Sequence, residues 1–238
     1  MVGEEFLTNE GYYVKVIEYI NNKNVKVVFP NGYINKFTSD SIRKGKIRNV
    51  FHKGLCHVGY LGDGIYVPSV NRKKTKAYYI WSAMIQRCYD PRIKERHSTY
   101  IGCSVDSEWH NLQNFAKWFE ENYREGYQLD KDILVKGNKI YSPDTCCFVP
   151  SRIILLIINR KKDRGVYPIG VTKQKEKYLS KANKANSGTF DTPELAFNAY
   201  KIYKENLIVT IAKEYFEKDL ISFDVYKSLL LYKIEITD

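Results

Sequence analysis

A long apolar run is the first feature that this sequence lacks. The longest, IILLII at 153–158, is followed by Asn-Arg-Lys-Lys and is far shorter than the about 20 residues that cross a bilayer. The first residues, MVGEEFLTNEG, contain neither a basic start nor an apolar signal core. We therefore expect no membrane partner and a location in the cytoplasm.

Cysteine is also scarce, with five among 238 residues and no Cys-x-x-Cys pair. An odd number of cysteines without a regular spacing does not indicate a disulfide scaffold. Cys146 and Cys147 are adjacent, so in a strand they would face opposite sides, which is a poor arrangement for two zinc ligands. The pattern favours buried, reduced thiols over structural zinc.

Acidic residues are outnumbered, because 27 Asp and Glu face 38 Lys and Arg, for a net charge of +11. Much of the excess lies in residues 160–184, and a second basic cluster, RKKTK, occupies 72–76. These segments are solvated linkers or the contact surface for a polyanion, and nucleic acid is the commonest polyanion. The candidate nucleic-acid-binding residues of 160–184 are Arg160, Lys161, Lys162, Arg164, Lys173, Lys175, Lys177, Lys181 and Lys184.

The hydrophobic pattern predicts an α+β protein with three modules, at 1–70, 71–162 and 163–238. In the first, apolar residues alternate over 12–20 and 25–29, with turns at 21–24 and 30–32, which predicts a small barrel-like β module. In the second, two helices carry apolar stripes, and residues 128–158 follow with the order strand, turn, strand, helix. The stripes are Trp81, Met84, Ile85 and Cys88, then Leu112, Phe115, Ala116 and Phe119.

The third module has short strands predicted at 170–173, 177–182 and 187–190. Thr192 is a good N-cap and Pro193 suits the first position of a helix, which we expect to run to about residue 217. The segment FDVYKSLLLY predicts a last short helix.

The stretches YPIGVTKQKEKYLSKA and SGTFDTPELAFNAYKIYKEN resemble the AP2 DNA-binding domain. The resemblance implies a three-stranded sheet with one helix packed against one of its faces. The other face of the sheet would enter the major groove of duplex DNA. Lys173, Lys175, Lys177 and Lys181 would lie on or beside that face. AP2 domains read bases mostly with Arg and Trp, whereas this sequence has Lys, Gln and Ser. Contacts to phosphates are therefore better supported than base reading.

The central stretches WSAMIQRCYD, TYIGCSVDSEWHNLQNFAKW and LDKDILVKGNKIYSPDTCCFVP resemble a group of phage-encoded HNH-like endonucleases. The resemblance implies an Asp with an Asn or His on one divalent metal, and a His that deprotonates water. Asp130 matches the metal ligand, but Lys131 stands where the His would be and Ile154 where the Asn would be. Asn159 comes five residues later, on a different side of a helix.

Three residues of this centre are therefore the candidate catalytic residues, namely Asp130, Lys131 and Asp132. Asp132, two residues after Asp130 in the same strand, would share a Mg²⁺-type ion with it, so these two are the candidate metal ligands. Lys131 would clamp a phosphate or neutralise developing charge. The alternative is that both aspartates only flank a turn. His97 and His110 lie in the same module, but their positions in the sequence do not identify either of them as the missing base.

Two functions follow from these patterns. The first is a phage-type endonuclease that binds duplex DNA and cleaves or nicks it with a divalent metal in the cytoplasm of a bacterial host. The second is an inactive HNH/AP2 scaffold that binds nucleic acid and regulates host or phage transcription, or counters a host defence through a host protein partner. The sequence does not distinguish DNA from RNA as the bound nucleic acid. It also does not give the target sequence or the oligomeric state.

Overall fold

The computed structural model describes residues 1–158, 166–182 and 185–238, with only the backbone at 185 and 186. The chain is an α+β protein that forms two compact units. Unit 1 comprises Met1–Ile101 and Ser107–Lys117, and unit 2 comprises Gly102–Asp106 and Trp118–Asp238. The three-module division stays a prediction. Within the described ranges, no helix has both the length and the apolar character needed to cross a membrane.

Unit 1 begins with a four-stranded antiparallel sheet in the order β1-β2-β3-β4. Its alternating valines, Val14, Val16, Val25 and Val27, all face a core with Phe29 and are fully buried, as the predicted hairpin requires. Among the described residues β1 and β4 do not pair, so the sheet is open instead of barrel-like. The strands are Glu5–Leu7, Tyr13–Asn21, Asn24–Val28 and Ile34–Phe37.

The helices of unit 1 begin at side-chain caps. Helix α1 follows the N-cap Thr38, and α2 follows Thr75, whose Oγ1 accepts a hydrogen bond from the backbone N–H of Tyr78. Both predicted apolar stripes are present, and only Phe119 in them is not fully buried. The elements are α1 Ser39–Arg43, β5 Ser69–Val70, β6 Lys73–Lys74, α2 Lys76–Tyr89, α3 Pro91–Arg96 and α4 Leu112–Asn122, the last reaching into unit 2.

Unit 2 contains the predicted strand, turn, strand and helix only in part, because residues 131–146 between the two paired strands include a further short strand instead of a single turn. Strands β8 and β10 pair antiparallel, with Asp130 opposite Cys147, and α5 starts directly after β10. In the loop between them, β9 pairs in parallel with β7 from earlier in the chain. The elements are β7 Ser104–Val105, β8 Tyr127–Asp130, β9 Ile140–Tyr141, β10 Cys147–Pro150 and α5 Ser151–Ile157.

The C-terminal part of unit 2 is a three-stranded antiparallel sheet with two helices. The predicted cap is present, since Thr192 Oγ1 accepts a hydrogen bond from Leu195 N at 3.3 Å. Gly170 has φ +76°, and a Cβ there would lie 2.0 Å from the ring of Tyr200, so only glycine fits beneath the helix. The elements are β11 Val171–Gln174, β12 Lys177–Ala182, β13 Ala185–Phe190, α6 Pro193–Glu217 and α7 Phe223–Leu230.

One core joins the two halves of unit 2. Apolar side chains of α5, α6 and α7 pack together, so the β8–β10 pair and the three-stranded sheet are held by the same cluster of helices. Its members include Ile153, Leu156, Phe197, Ile208, Ile211, Val225 and Leu229.

Candidate functional site

Asp130 ends strand β8 by turning the chain. Its Oδ1 accepts hydrogen bonds from the backbone N–H groups of Asp132 at 2.7 Å and Ile133 at 2.9 Å. An aspartate that bonds the backbone two residues on forms an Asx turn, which takes the chain out of the strand. The expectation that Asp130 and Asp132 share one strand is therefore wrong, because β8 ends at Asp130.

Lys131 lies inside this turn. The residue is 7% exposed, and its Nζ donates hydrogen bonds to Asp132 Oδ1 and to the carbonyl oxygen of Asn138, both at 2.6 Å. Asn138 returns a bond, since its Nδ2 donates to the carbonyl oxygen of Lys131 at 2.9 Å. The ammonium also lies 5.8 Å from the ring centroid of Tyr141. The side chain of Lys131 thus links the two ends of the loop 131–138 from its buried side.

Burial sets the protonation of this centre. It raises the pKa of Asp130 above its ordinary value, against the two backbone hydrogen bonds that lower it. Burial also raises the pKa of Cys146 to about 12, and it raises the pKa of Cys147 as well, with the charge of Asp130 acting in the same direction on both. Both cysteines are therefore protonated thiols near neutral pH and not nucleophiles.

The two carboxylates retain limited capacity for a metal ion. In the described part of the chain, Asp130 Oδ2 accepts no hydrogen bond, and Asp132 is about half exposed. Over the same residues, no group of three or more His, Cys, Asp or Glu side chains is placed to hold a metal. Oxygen donors suit a magnesium-type ion, but such an ion would take its remaining ligands from water and phosphate.

The remaining residues considered for an HNH centre are Ile154, Asn159 and the two histidines. Ile154, at the position of the missing Asn, packs against the core of unit 2, and Asn159 lies outside the described residues. His97 and His110 belong to unit 1. There, His110 Nε2 lies 3.5 Å from the hydroxyl of Tyr89, and the ring of His97 contacts the ring of Tyr100 edge-on.

One face of the three-stranded sheet is covered by α6, and no helix or strand of the described residues packs on the other, free face. Val171, Ser180 and Ala182 lie on the covered face, where Val171 and Ala182 pack with residues of α6. Because side chains alternate along a strand and directly paired residues share a face, the positions that alternate with these three lie on the free face. These are Thr172, Gln174, Lys177, Leu179, Lys181 and Thr189.

The four candidate lysines within the described residues divide between these faces. Lys177 and Lys181 lie on the free face, Lys173 is paired with Tyr178 on the other, and Lys175 occupies the β11–β12 turn with φ +56°. Lys177 Nζ lies 3.1 Å from Asp191 Oδ1, with both side chains more than half exposed. The other candidates, Arg160, Lys161, Lys162, Arg164 and Lys184, fall outside the described residues.

Sequence reasoning missed two functions of residues in the turn. A lysine between two aspartates gives no pattern from which burial would be inferred, and no local pattern indicates that Asn138 holds both the ammonium and the backbone of Lys131. Compared with known proteins, this chain matches no family model, no curated protein and no solved structure.

Proposed function

We propose that this chain binds duplex DNA through the free face of its three-stranded sheet and does not depend on cleavage for its function. One observation carries the proposal. Lys177 and Lys181 project from the same side of β12, opposite the side that α6 covers. The other free-face positions among the described residues are uncharged, namely Thr172, Gln174, Leu179 and Thr189.

The charge of this face fits a phosphate backbone. Two lysines four residues apart on one strand have Cα atoms about 13 Å apart, which lets them reach different phosphates. The ion pair of Lys177 with Asp191 joins two exposed groups, so it is weak and exchanges readily for a phosphate. Lysine acts as a point charge, so we expect affinity for DNA with little sequence preference.

Replacing Lys177 and Lys181 together by alanine should weaken binding of duplex DNA about tenfold. Two lost phosphate contacts should also reduce the slope of log affinity against log salt by about 1.8, because each contact contributes about 0.9. Fluorescence anisotropy with a labelled duplex, measured over a series of salt concentrations, gives both quantities.

The matched control is the double variant Lys213→Ala/Lys227→Ala, which removes the same charge from exposed positions of α6 and α7. It should retain the parent affinity apart from a small general effect of net charge. Equal losses in the two double variants would show that the free face has no special part in binding, and no binding by the parent chain would refute the proposal.

A second candidate function is metal-dependent cleavage of a phosphodiester at Asp130. Two observations favour it: the antiparallel β8–β10 pair runs directly into α5, and Asp130 keeps one oxygen that accepts no hydrogen bond from the described residues. A magnesium-type ion would supply a Lewis acid on the phosphate. The chain itself would contribute the oxygens of Asp130 and Asp132 that hold this ion.

The variant Asp130→Asn separates cleavage from folding. An asparagine Oδ1 accepts the same two backbone hydrogen bonds, so the turn should be retained while the charge needed for a metal is lost. If the second candidate is correct, the parent chain nicks supercoiled plasmid in magnesium or manganese and this variant does not. Because burial raises the pKa of Asp130, acidification protonates its carboxylate at a higher pH than it would an ordinary Asp. Nicking should therefore begin to be lost at a correspondingly higher pH as the solution is made more acidic. Absence of nicking by the parent chain eliminates this candidate and leaves DNA binding.

A further inference from the structure

Unit 1 contains a cavity that neither the DNA-binding face nor the Asp130 centre uses. Its volume is about 680 Å³, within the about 300–1,000 Å³ typical of small-molecule sites. The lining combines aromatic rings with cationic side chains, namely Tyr60, Tyr78 and Trp81 with Lys46 and Arg48. Rings beside cations form a combination that suits a ligand with both a flat base and a phosphate.

The two cations point the same way. Over residues 45–49, Gly45, Ile47 and Asn49 are buried, whereas Lys46 and Arg48 between them are exposed. Two residues along an extended segment span about 6.6 Å, so both cations can reach one phosphate or two successive phosphates. Throughout unit 1, which is fully described, neither side chain has an ion-pair partner, so their charge is available to a ligand.

The segment that carries these cations is fixed by its neighbours. Asn49 donates its backbone N–H to Glu10 Oε2 at 2.9 Å and its Nδ2 to Asn31 Oδ1 at 3.1 Å. The carbonyl oxygen of Gly45 accepts a hydrogen bond from Asn9 N at 2.8 Å, and Ile47 is buried in the sheet core. A site that is held in place before binding loses less entropy when its ligand arrives.

The aromatic side of the cavity has a rigid base and two accessible walls. Trp81 is 1% exposed, its Nε1 donates to the carbonyl oxygen of Trp109 at 2.8 Å, and its ring lies against Gly59, so it forms a fixed floor. Tyr60 and Tyr78 are only partly buried and present ring surface at the walls. Any of the nucleobases can stack on such rings, because every base has a flat π face.

We infer that this cavity binds a single nucleotide unit, with its phosphate on Lys46 and Arg48 and its base against Tyr60 or Tyr78. Glu10 also lines the cavity and accepts hydrogen bonds, which suits the N–H groups of a base or the hydroxyl of a sugar. The nucleotide comes either from an unpaired strand or from the free pool, since both offer the same chemistry. A paired base is held within its stack and cannot enter, so this site is distinct from the duplex-binding face.

The test compares Lys46→Ala/Arg48→Ala with Arg43→Ala/Lys53→Ala in the full chain. Both double variants remove two positive charges from exposed positions of unit 1, but Arg43 and Lys53 do not line the cavity. The probes are a labelled single-stranded decanucleotide, followed by fluorescence anisotropy, and adenosine monophosphate, followed by calorimetry. We expect the cavity variant to lose at least about tenfold in affinity for whichever probe binds the parent, and the control to match the parent.

Each outcome decides one question. Binding of the decanucleotide alone identifies an unpaired strand as the source, and binding of adenosine monophosphate identifies a free nucleotide. The inference is overturned if the parent binds neither probe, or if the cavity variant binds as well as the control. Repeating the series in the Lys177→Ala/Lys181→Ala chain removes the duplex-binding face, so failure of that proposal is seen separately.

Discussion

Replacing Lys131 by methionine should lower the free energy of unfolding by about 1–3 kcal/mol. The substitution keeps the apolar stem against Tyr141 but removes two charge-assisted hydrogen bonds, to Asp132 Oδ1 and to the carbonyl oxygen of Asn138. Asp132 is 46% exposed and can be rehydrated, whereas the carbonyl of Asn138 loses its charged donor. Denaturant titration of the two proteins measures the loss.

Two further variants define the origin of that loss. Lys117→Met, on the exposed side of α4, should change stability by no more than about 0.5 kcal/mol. Adding Asp132→Asn to Lys131→Met should cost less than the sum of the two single changes, because the ion pair is then removed as a unit. Unchanged stability of Lys131→Met together with weaker DNA binding would instead identify Lys131 as a phosphate clamp.

The position of Lys131 bears on both proposed functions. Its ammonium bonds Asp132 and lowers the pKa of Asp130 in part, so the turn already contains a positive charge beside its two carboxylates. An internal cation reduces the electrostatic attraction of this turn for an external metal ion. For that reason DNA binding is the leading proposal and metal-dependent cleavage the second.

Local patterns in the sequence predicted the elements well. The start of α6 followed from Thr192 and Pro193, because capping depends only on neighbouring residues. The buried stripe of α2 followed from helical periodicity, since one face of that helix must be apolar to pack. The element boundaries of β12 and β13 were likewise within a few residues of their predicted positions.

Features that depend on register or on distant residues could not be predicted in the same way. Lys173 and Lys177 lie on opposite faces because strand pairing places Lys173 beside Tyr178, and the pairing depends on the turn at Lys175 with its positive φ. The parallel β7–β9 pair joins segments about 35 residues apart, with no local pattern that indicates it. The burial of Lys131 likewise requires the carbonyl of Asn138 in a fixed position.

Replacing Lys204 by methionine should raise the free energy of unfolding by about 1–3 kcal/mol near neutral pH. Lys204 is 7% exposed in the buried stripe of α6, between Tyr200 and Ile208, and across the described ranges no hydrogen bond or ion pair reaches it. The adjacent Glu205 instead accepts a hydrogen bond from Ile234 N and lies near Lys201 and Lys233. A charged group buried without a partner is destabilising, and methionine keeps the length and apolar contacts of the stem.

The pH dependence provides the decisive measurement for Lys204. Burial lowers the pKa of Lys204 in the folded chain, so between that pKa and the ordinary lysine value the unfolded chain binds more protons than the folded one. The parent should therefore gain stability as the pH rises through this window. The stability advantage of Lys204→Met over the parent should shrink over the same range. Thermal unfolding at a series of pH values measures both changes. Lys213→Met, on an exposed position of the same helix, should show neither effect. A loss of stability in Lys204→Met would instead show that the ammonium is well solvated or bonded in the folded chain.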